Sequence, residues 1–384
     1  MKVTKSVLRE SAKVQYAVKL CKRICGLWNL RYANKKLEKD PKEALAFLNS
    51  VHPYPKNIMV SVPLKKERSI DLSIIVPAHN VEKYIRQCME SILEQKTSYS
   101  YEVIVVENAS SDKTWEIVRS YEKDGRVKVL RSQEPDPSRA RNIGLRESSG
   151  KYLMFVDSDD YLLPDTLEKM MENILKHQAD IVVCGYKKLE DGRFYDYPAA
   201  KEKKVWGTCE DMLHVDGFAW GKVYRWELFQ DVCFPEWLWY EDSIIHMEIF
   251  PRASKMVVLP EYGYVYRRNT GSITASHDST ERCLDTLWVM RAIIRKRKEL
   301  GLECDEIIYG EYLKHFTDIS WLRIRRQPAE VKEAFFCAAS YYMARERRNV
   351  DIDSLSPELK KIDRIFAGRR EKMWESYCKY GYLI

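Results

Sequence analysis

Hydrophobic and polar positions between residues 72 and 184 fall into two alternating patterns. Short, nearly continuous apolar runs at 72–76, 102–106, 127–130, 152–156 and 180–184 have the length of buried strands, and the stretches 81–94, 113–123, 138–148 and 163–176 between them are helical in pattern. Strand and helix in alternation predict an α/β fold: a mostly parallel, Rossmann-like sheet with helices on both faces and ligands at the carboxyl ends of its strands. After about residue 200 the pattern turns aromatic-rich, and from about residue 280 it is helical. Trp288, Ile294, Tyr312, Phe316, Ile319, Phe335, Phe336 and Tyr342 are the expected core positions of those packed helices, which carry no catalytic motif. Pro53, Pro55, Pro63 and the run Lys65-Lys66-Glu67-Arg68 read as a linker. Three parts are therefore expected: a basic helical extension and linker over 1–69, the α/β domain over 70–275 and a helical region over 276–384.

The 384-residue chain is 45% hydrophobic and 32% charged, as in a soluble globular protein with an ample core. No window approaches the roughly 18 apolar residues of a membrane span. The opening Met-Lys-Val-Thr-Lys-Ser leads into no signal-peptide core, so a cytoplasmic protein is expected. Ten cysteines without a C-x-x-C pair suggest neither a zinc site nor a disulfide framework. The net charge of +7 is unevenly spread, because residues 1–70 hold 16 Lys and Arg against 5 Asp and Glu and leave the remainder slightly acidic. Val14, Ala17, Cys21, Ile24 and Trp28 share a helical face there, with Lys13, Lys19, Lys22 and Arg23 on the others. Such a helix can lie on an anionic surface, as a peripheral contact at the inner face of the cell membrane, or pack on the protein's own core. Nothing elsewhere in the chain supports nucleic-acid binding.

Chemistry enters at the strand ends. The run Lys151-Tyr-Leu-Met-Phe-Val stops on Asp157, Asp159 and Asp160, three carboxylates within four positions. Like charges so close repel one another, and a hard cation shared between them relieves this; oxygen ligands suit Mg²⁺ or Mn²⁺, which would bring a nucleotide diphosphate. The alternative is an acidic turn capping the next helix. The neighbouring strands end in Pro77-Ala78-His79-Asn80 and Glu107-Asn108-Ala109-Ser110-Ser111-Asp112, so polar groups collect on one edge of the sheet. Neither a P-loop nor G-x-G-x-x-G is present.

Taken in order, the motifs Ser73 to Asn80, Glu102 to Asp112, Ala140-Arg141-Asn142-Ile143-Gly144-Leu145, Val156 to Asp160, Tyr240-Glu241-Asp242 and Tyr266-Arg267 before Gly271-Ser272 resemble the family 2 glycosyltransferases over roughly residues 70–275. The resemblance implies the GT-A fold, a mixed sheet with helices on both faces, and an inverting, metal-dependent transfer of a sugar from a nucleotide-diphosphate donor. It implies that Pro77, Ala78 and Asn80 shape the loop around the nucleotide and that Glu107 accepts a hydrogen bond from the base, uracil by expectation. Arg141 and Asn142 would lie close to the donor, with a structural ion pair as the alternative for Arg141. Asp159 would hold Mn²⁺ or Mg²⁺ on the diphosphate, and Asp157 would contact ribose or the metal's water shell. Asp242 falls where the family has its general base, although Glu241-Asp242 also suit the first turn of a helix over 243–250. Glu241 could meet an acceptor or sugar hydroxyl, and Trp220 could stack on a sugar face or pack in the core.

The sequence departs from the family pattern in two places. The second strand reads Glu107-Asn108-Ala109-Ser110 where Asp-Asp-Gly-Ser is usual, which weakens the assignment of uracil, and His79 stands where an aromatic residue is often found. His246 and His277 are weaker candidates for metal or phosphate ligands. The expected acceptor is a cell-surface glycan or a lipid-linked one. Competing readings are a catalytically inactive scaffold with the same fold and a nucleotidyltransferase; the latter should carry a Gly-rich basic loop after the first strand, and residues 77–84 are not one.

Overall fold

A computed structural model describes residues 35–56, 58, 68–269 and 280–380. The basic helix expected over residues 14–28, His277 and the Gly271-Ser272 pair lie outside them. The chain separates into two compact units that are not consecutive in sequence: residues 55–276 with 288–302 form one, and the N-terminal residues up to Tyr54 with 277–287 and 303–384 form the other.

Among its described residues the first unit holds ten strands: β1 (Ile70–Ala78), β2 (Tyr101–Asn108), β3 (Val127–Ser132), β4 (Gly150–Phe155), β5 (Tyr161–Leu162), β6 (Ile181–Glu190), β7 (Arg193–Tyr197), β8 (Lys204–Trp206), β9 (Lys222–Arg225) and β10 (Met256–Arg267). They form one sheet in the order β3-β2-β1-β4-β9-β6-β10-β5, with β7 on β6 and β8 on β10. β3, β2, β1 and β4 are parallel, as the alternating pattern predicts. β9 then enters antiparallel between β4 and β6, and the sheet becomes mixed. β1 and β2 are buried on both faces, which is why they read as continuous apolar runs. One face is covered by the Ile85–Leu93 helix and a large cluster that includes Ile74, Val76, Val103 and Val105. The other is covered by the Pro137–Glu147 helix, which lies so close that a Cβ at Gly144 would stand 2.4 Å from Ile75 Cγ2. Any side chain larger than glycine there would push the helix off the sheet.

The second unit is helical. Its Pro41–Val51 helix packs on Ala329–Glu346, with Lys39 paired to Glu333 at 3.4 Å. Trp374 stacks on Phe335 and donates its indole N–H to the Phe316 carbonyl at 2.9 Å. Of the core positions expected from the pattern, Trp288 and Ile294 of the first unit and Tyr312, Phe316, Phe335 and Phe336 of the second are buried, but Ile319 is 38% exposed and Tyr342 half-buried. The reason at Ile319 is a π-helical stretch over His315–Ile319. Its wider turn shifts the helical phase, so the apolar stripe no longer continues through that residue. No described helix is long and apolar enough to cross a membrane.

Candidate active site

The carboxyl ends of β1 and β2 are fastened to one another before any ligand is considered. Beyond β1, the His79 Nδ1 lies 2.7 Å from the Asn108 carbonyl, and Asn80 Oδ1 accepts the Ser111 N–H at 2.9 Å. Asn80 and Ala109 both adopt left-handed backbone, at φ 50° and 54°, so Ala109 holds with a Cβ a conformation that glycine takes more readily. Pro77 and Ala78 are buried in β1 and present only backbone and shape to this edge. Glu107 is fully buried: Oε1 accepts the Ser110 N–H, while Oε2 lies 3.0 Å from Arg131 Nε without a hydrogen bond among the described residues.

After β4 the acidic run separates into distinct roles. Asp157 accepts from Arg141 Nη2 at 2.8 Å, and its own N–H donates to the Tyr264 hydroxyl at 3.1 Å. Asp159 Oδ2 accepts from Asn269 at 2.7 Å, and burial together with the Asp157 charge pushes its carboxyl up to about 6. Asp160 is not a helix cap. It is buried and accepts from the Tyr264 hydroxyl at 2.8 Å and the Arg267 N–H at 2.7 Å, locking this turn to β10, and the next helix starts only at Thr166.

Arg141 joins this group to the remote Glu241-Asp242 pair. It sits on the buried side of the Pro137–Glu147 helix and forks to Asp157 and to Glu241 Oε1, the latter at 2.6 Å. Burial works against its charge, but Asp157 and Glu241 overcome this and hold its pKa above the ordinary value. Asp242 follows with Oδ1 buried and without a hydrogen-bond partner among the described residues. Burial first, then the Glu241 charge, push its carboxyl up to about 7 against the opposing pull of Arg141. Rather than lying inside an α-helix, the pair forms the turn before a π-helical stretch over Ile245–Ile249.

The resemblance put Asn142 beside the donor; here it braces a loop instead. Its amide donates to the Phe234 carbonyl at 2.9 Å and to Glu236 at 3.1 Å, and its Oδ1 accepts the Phe234 N–H at 2.9 Å. Asp136 at the start of the same helix accepts the Trp237 N–H. Between these anchors and Asp242 the loop carries Trp237 and Tyr240 at φ 69° and 68°, conformations that cost roughly 1 kcal/mol or more apiece and persist only where neighbours enforce them. Trp220 offers no open face, because Phe218, Tyr264 and Tyr266 stack around it at 4.7, 4.5 and 5.6 Å. His246 lies 2.6 Å from the Val215 carbonyl, a structural contact. The sequence reading missed Asp136, Glu236, Tyr264 and Asn269; only Asp136, followed directly by Pro137 and Ser138, carried a local signal, that of a helix N-cap.

A sheet of this order, with carboxylates at its carboxyl edge and a remote Glu-Asp pair brought to them, defines a GT-A-type domain. Residues 73–222 match the family described as Glycosyl transferase family 2. Among relatives, the chain is 35% identical over 216 residues to the uncharacterized glycosyltransferase EpsJ of Bacillus subtilis, covering 53% of this chain and 62% of that one. It is 30% identical over 256 residues to poly(ribitol-phosphate) beta-N-acetylglucosaminyltransferase TarS of Staphylococcus aureus, covering 64% of this chain and 44% of TarS. The match thus spans less than two thirds of either relative. The crystal structure of S. aureus TarS 1–349 in complex with UDP-GlcNAc has a TM-score of 0.63 at 23% identity, over 81% of this chain and 90% of that one, a likeness of fold.

Proposed function

We propose that this chain is an inverting glycosyltransferase that moves a sugar from a nucleotide-diphosphate donor of the UDP type to a hydroxyl of a glycan or lipid-linked acceptor at the cytoplasmic side of a membrane. The observation that carries the proposal is Asp242, whose Oδ1 is buried without a partner among the described residues and whose carboxyl is pushed up to about 7, at a point tied through Glu241 and Arg141 to Asp157. A carboxylate with such a pKa can take a hydroxyl proton and return it to water near neutral pH. The UDP-GlcNAc named for the TarS structure supports a UDP-type donor.

Asp242 accepts the proton of the acceptor hydroxyl as that oxygen bonds to the anomeric carbon. The bond from this carbon to the diphosphate breaks, the electron pair leaves with the nucleotide, and the single displacement inverts the centre. Arg141 keeps Asp157 and Glu241 at fixed spacing, so the donor and base sides hold register. Glu107 Oε2 would accept the uracil N–H, and Pro77, Ala78 and the Asn80 turn would wall the base. Asp159 fits a Mg²⁺ or Mn²⁺ ion, since its carboxyl is held up by burial and Asp157, a situation a cation relieves. No group of three or more His, Cys, Asp or Glu that could hold a metal occurs among the described residues. The protein would therefore supply Asp159, with Asp157 through water, and leave the remaining positions to diphosphate oxygens and water. Neutralising charge on the departing diphosphate is what the bound ion supplies.

The test is donor hydrolysis. The full chain, incubated with UDP-GlcNAc, UDP-glucose and UDP-galactose and Mn²⁺, should release UDP slowly from at least one of them, and EDTA should stop it. Absence of both UDP release and UDP binding would overturn the reading.

A further inference from the structure

The sheet also carries a concavity that the donor reading does not use. A cavity of about 200 Å³ opens beside the middle of β6 and the start of β9, walled by Tyr186, Tyr197, Asp216, Phe218, Trp220 and Lys222. Two pairs of parallel rings build it: Tyr186 on Tyr197, with centroids 4.9 Å apart and 2° between planes, and Phe218 on Trp220, 4.7 Å apart at 7°. Tyr197 and Phe218 are 43% and 38% exposed, so the outer ring of each pair meets solvent. Behind Phe218 the stack continues through Trp220 to Tyr264, whose hydroxyl binds Asp160 and the Asp157 N–H. Trp220 also bridges to Phe155 at the end of β4, two residues before Asp157. The aromatic wall therefore runs from open solvent to the acidic turn.

Lys222 links the cavity wall to Asp242 through charge. It is buried, its ammonium donates to the Phe218 carbonyl at 2.8 Å, and burial lowers its pKa to about 8 while Asp216 and Asp242 oppose that fall. Lys222 and Asp216 both line the cavity, and the Lys222 charge interacts with Asp216 and with Asp242. The chemistry of the wall selects the ligand. Open ring faces attract the C–H faces of a pyranose, and Asp216 at the rim accepts hydroxyl hydrogens. A nucleotide would also stack, but its phosphates would meet the carboxylates of Asp216 and Asp196, and Asp196 is already paired with Lys187 at 3.1 Å.

We propose that this cavity is the acceptor subsite and holds a neutral sugar ring against Tyr197 and Phe218. The proposal rests on the transferase reading, and its test is separable from it. Methyl β-glycosides of glucose, galactose and N-acetylglucosamine are titrated into the full chain, with and without UDP and Mn²⁺, and followed by saturation-transfer NMR; UDP affinity is measured alongside. At least one glycoside should bind, and Phe218→Ala or Tyr197→Ala should weaken it about tenfold, the size of one lost ring contact. Phe218→Tyr should retain binding, and UDP affinity should stay within about twofold in all three, as expected for changes on exposed rings. If no glycoside binds the parent, or if the alanine variants bind as well as the parent, the acceptor assignment is wrong whatever UDP does. If glycosides bind as described but UDP does not, the cavity stands as a sugar site and the transferase reading falls.

Discussion

The two halves of the candidate site are held in place by different means. On the donor side, the loops after β1, β2 and β4 extend adjacent parallel strands; bonds such as His79 to Asn108 and Asn80 to Ser111 join the first two, and Asp160 ties the third to β10. On the base side, the segment from Phe234 to Asp242 leaves the sheet altogether. It is positioned by side chains of a single helix some 90 residues earlier in the chain: Asp136 at the start, then Arg141 and Asn142. That segment also carries the left-handed Trp237 and Tyr240, and leads into a π-helical stretch. Donor geometry thus follows from the sheet, whereas base geometry depends on a few buried polar contacts and should be the easier to break without unfolding the domain.

The largest separation of the two should come from Asp159→Ala against Asn142→Ala. Removing the Asp159 carboxylate should abolish the difference in UDP affinity between Mn²⁺ and EDTA, read by calorimetry. Asn142→Ala leaves the Phe234 N–H and carbonyl unpaired in a buried place, a loss of about 1–3 kcal/mol. Because that strain falls on the base loop, transfer should drop by roughly ten- to a hundredfold with UDP affinity kept within about twofold. Equal losses of UDP affinity in both variants would show that the halves are not independent.

A pH experiment probes the base side alone. Glu248, three residues into the π-helical stretch, is buried with neither carboxylate oxygen hydrogen-bonded among the described residues. Burial pushes its carboxyl up to about 8, with Arg297, Lys296 and Arg252 opposing and Glu299 assisting. The folded chain keeps this proton where the unfolded chain loses it, so stability from this group is present below about pH 4.5 and is lost as pH rises toward about 8, at some 1.4 kcal/mol per unit. Glu248→Gln should therefore gain on the parent in denaturant midpoint as pH rises over that window. A constant offset between the two proteins would contradict the assignment.

The smallest effect belongs to the donor side. Ala109 holds φ 54° with a Cβ, and Ala109→Gly should raise stability by about 0.5–1 kcal/mol by removing that strain, less the entropy glycine adds to the unfolded chain. Denaturant melts resolve such a shift, and a loss of stability would mean that the turn is not strained.

This contrast also explains what could be read in the sequence. Buried parallel strands announce themselves as apolar runs, and their ends then place Asp157, Asp159 and Glu107 on one edge. Asp242 was reachable through a short motif, but the reason it comes to that edge was not. Asn142 meets Phe234 and Glu236 through contacts more than 90 residues apart, for which no local pattern exists. β9 is four residues long and gave no strand signal, yet it turns the sheet mixed and carries Lys222 into the cavity wall. Asp160 looked like a cap because its bonds to Tyr264 and Arg267 reach across the sheet. At Ile319 a single π-helical turn broke the periodicity on which the core assignment rested.

The central claim is that Asp242 takes the proton while contributing little to donor binding, and Asp242→Asn tests it most directly. The asparagine keeps size and some hydrogen bonding but cannot accept the hydroxyl proton. With a UDP-sugar and an acceptor that the parent uses, kcat should fall by about 10² to 10⁴ while UDP affinity in Mn²⁺ remains close to that of the parent. The parent's kcat/KM should rise with pH through about 7, as the Asp242 carboxyl loses its proton, and this limb should vanish in the variant. Full turnover in Asp242→Asn, or an unchanged limb near pH 7, would contradict the account and move the base to another carboxylate, with Glu241 the nearest in sequence.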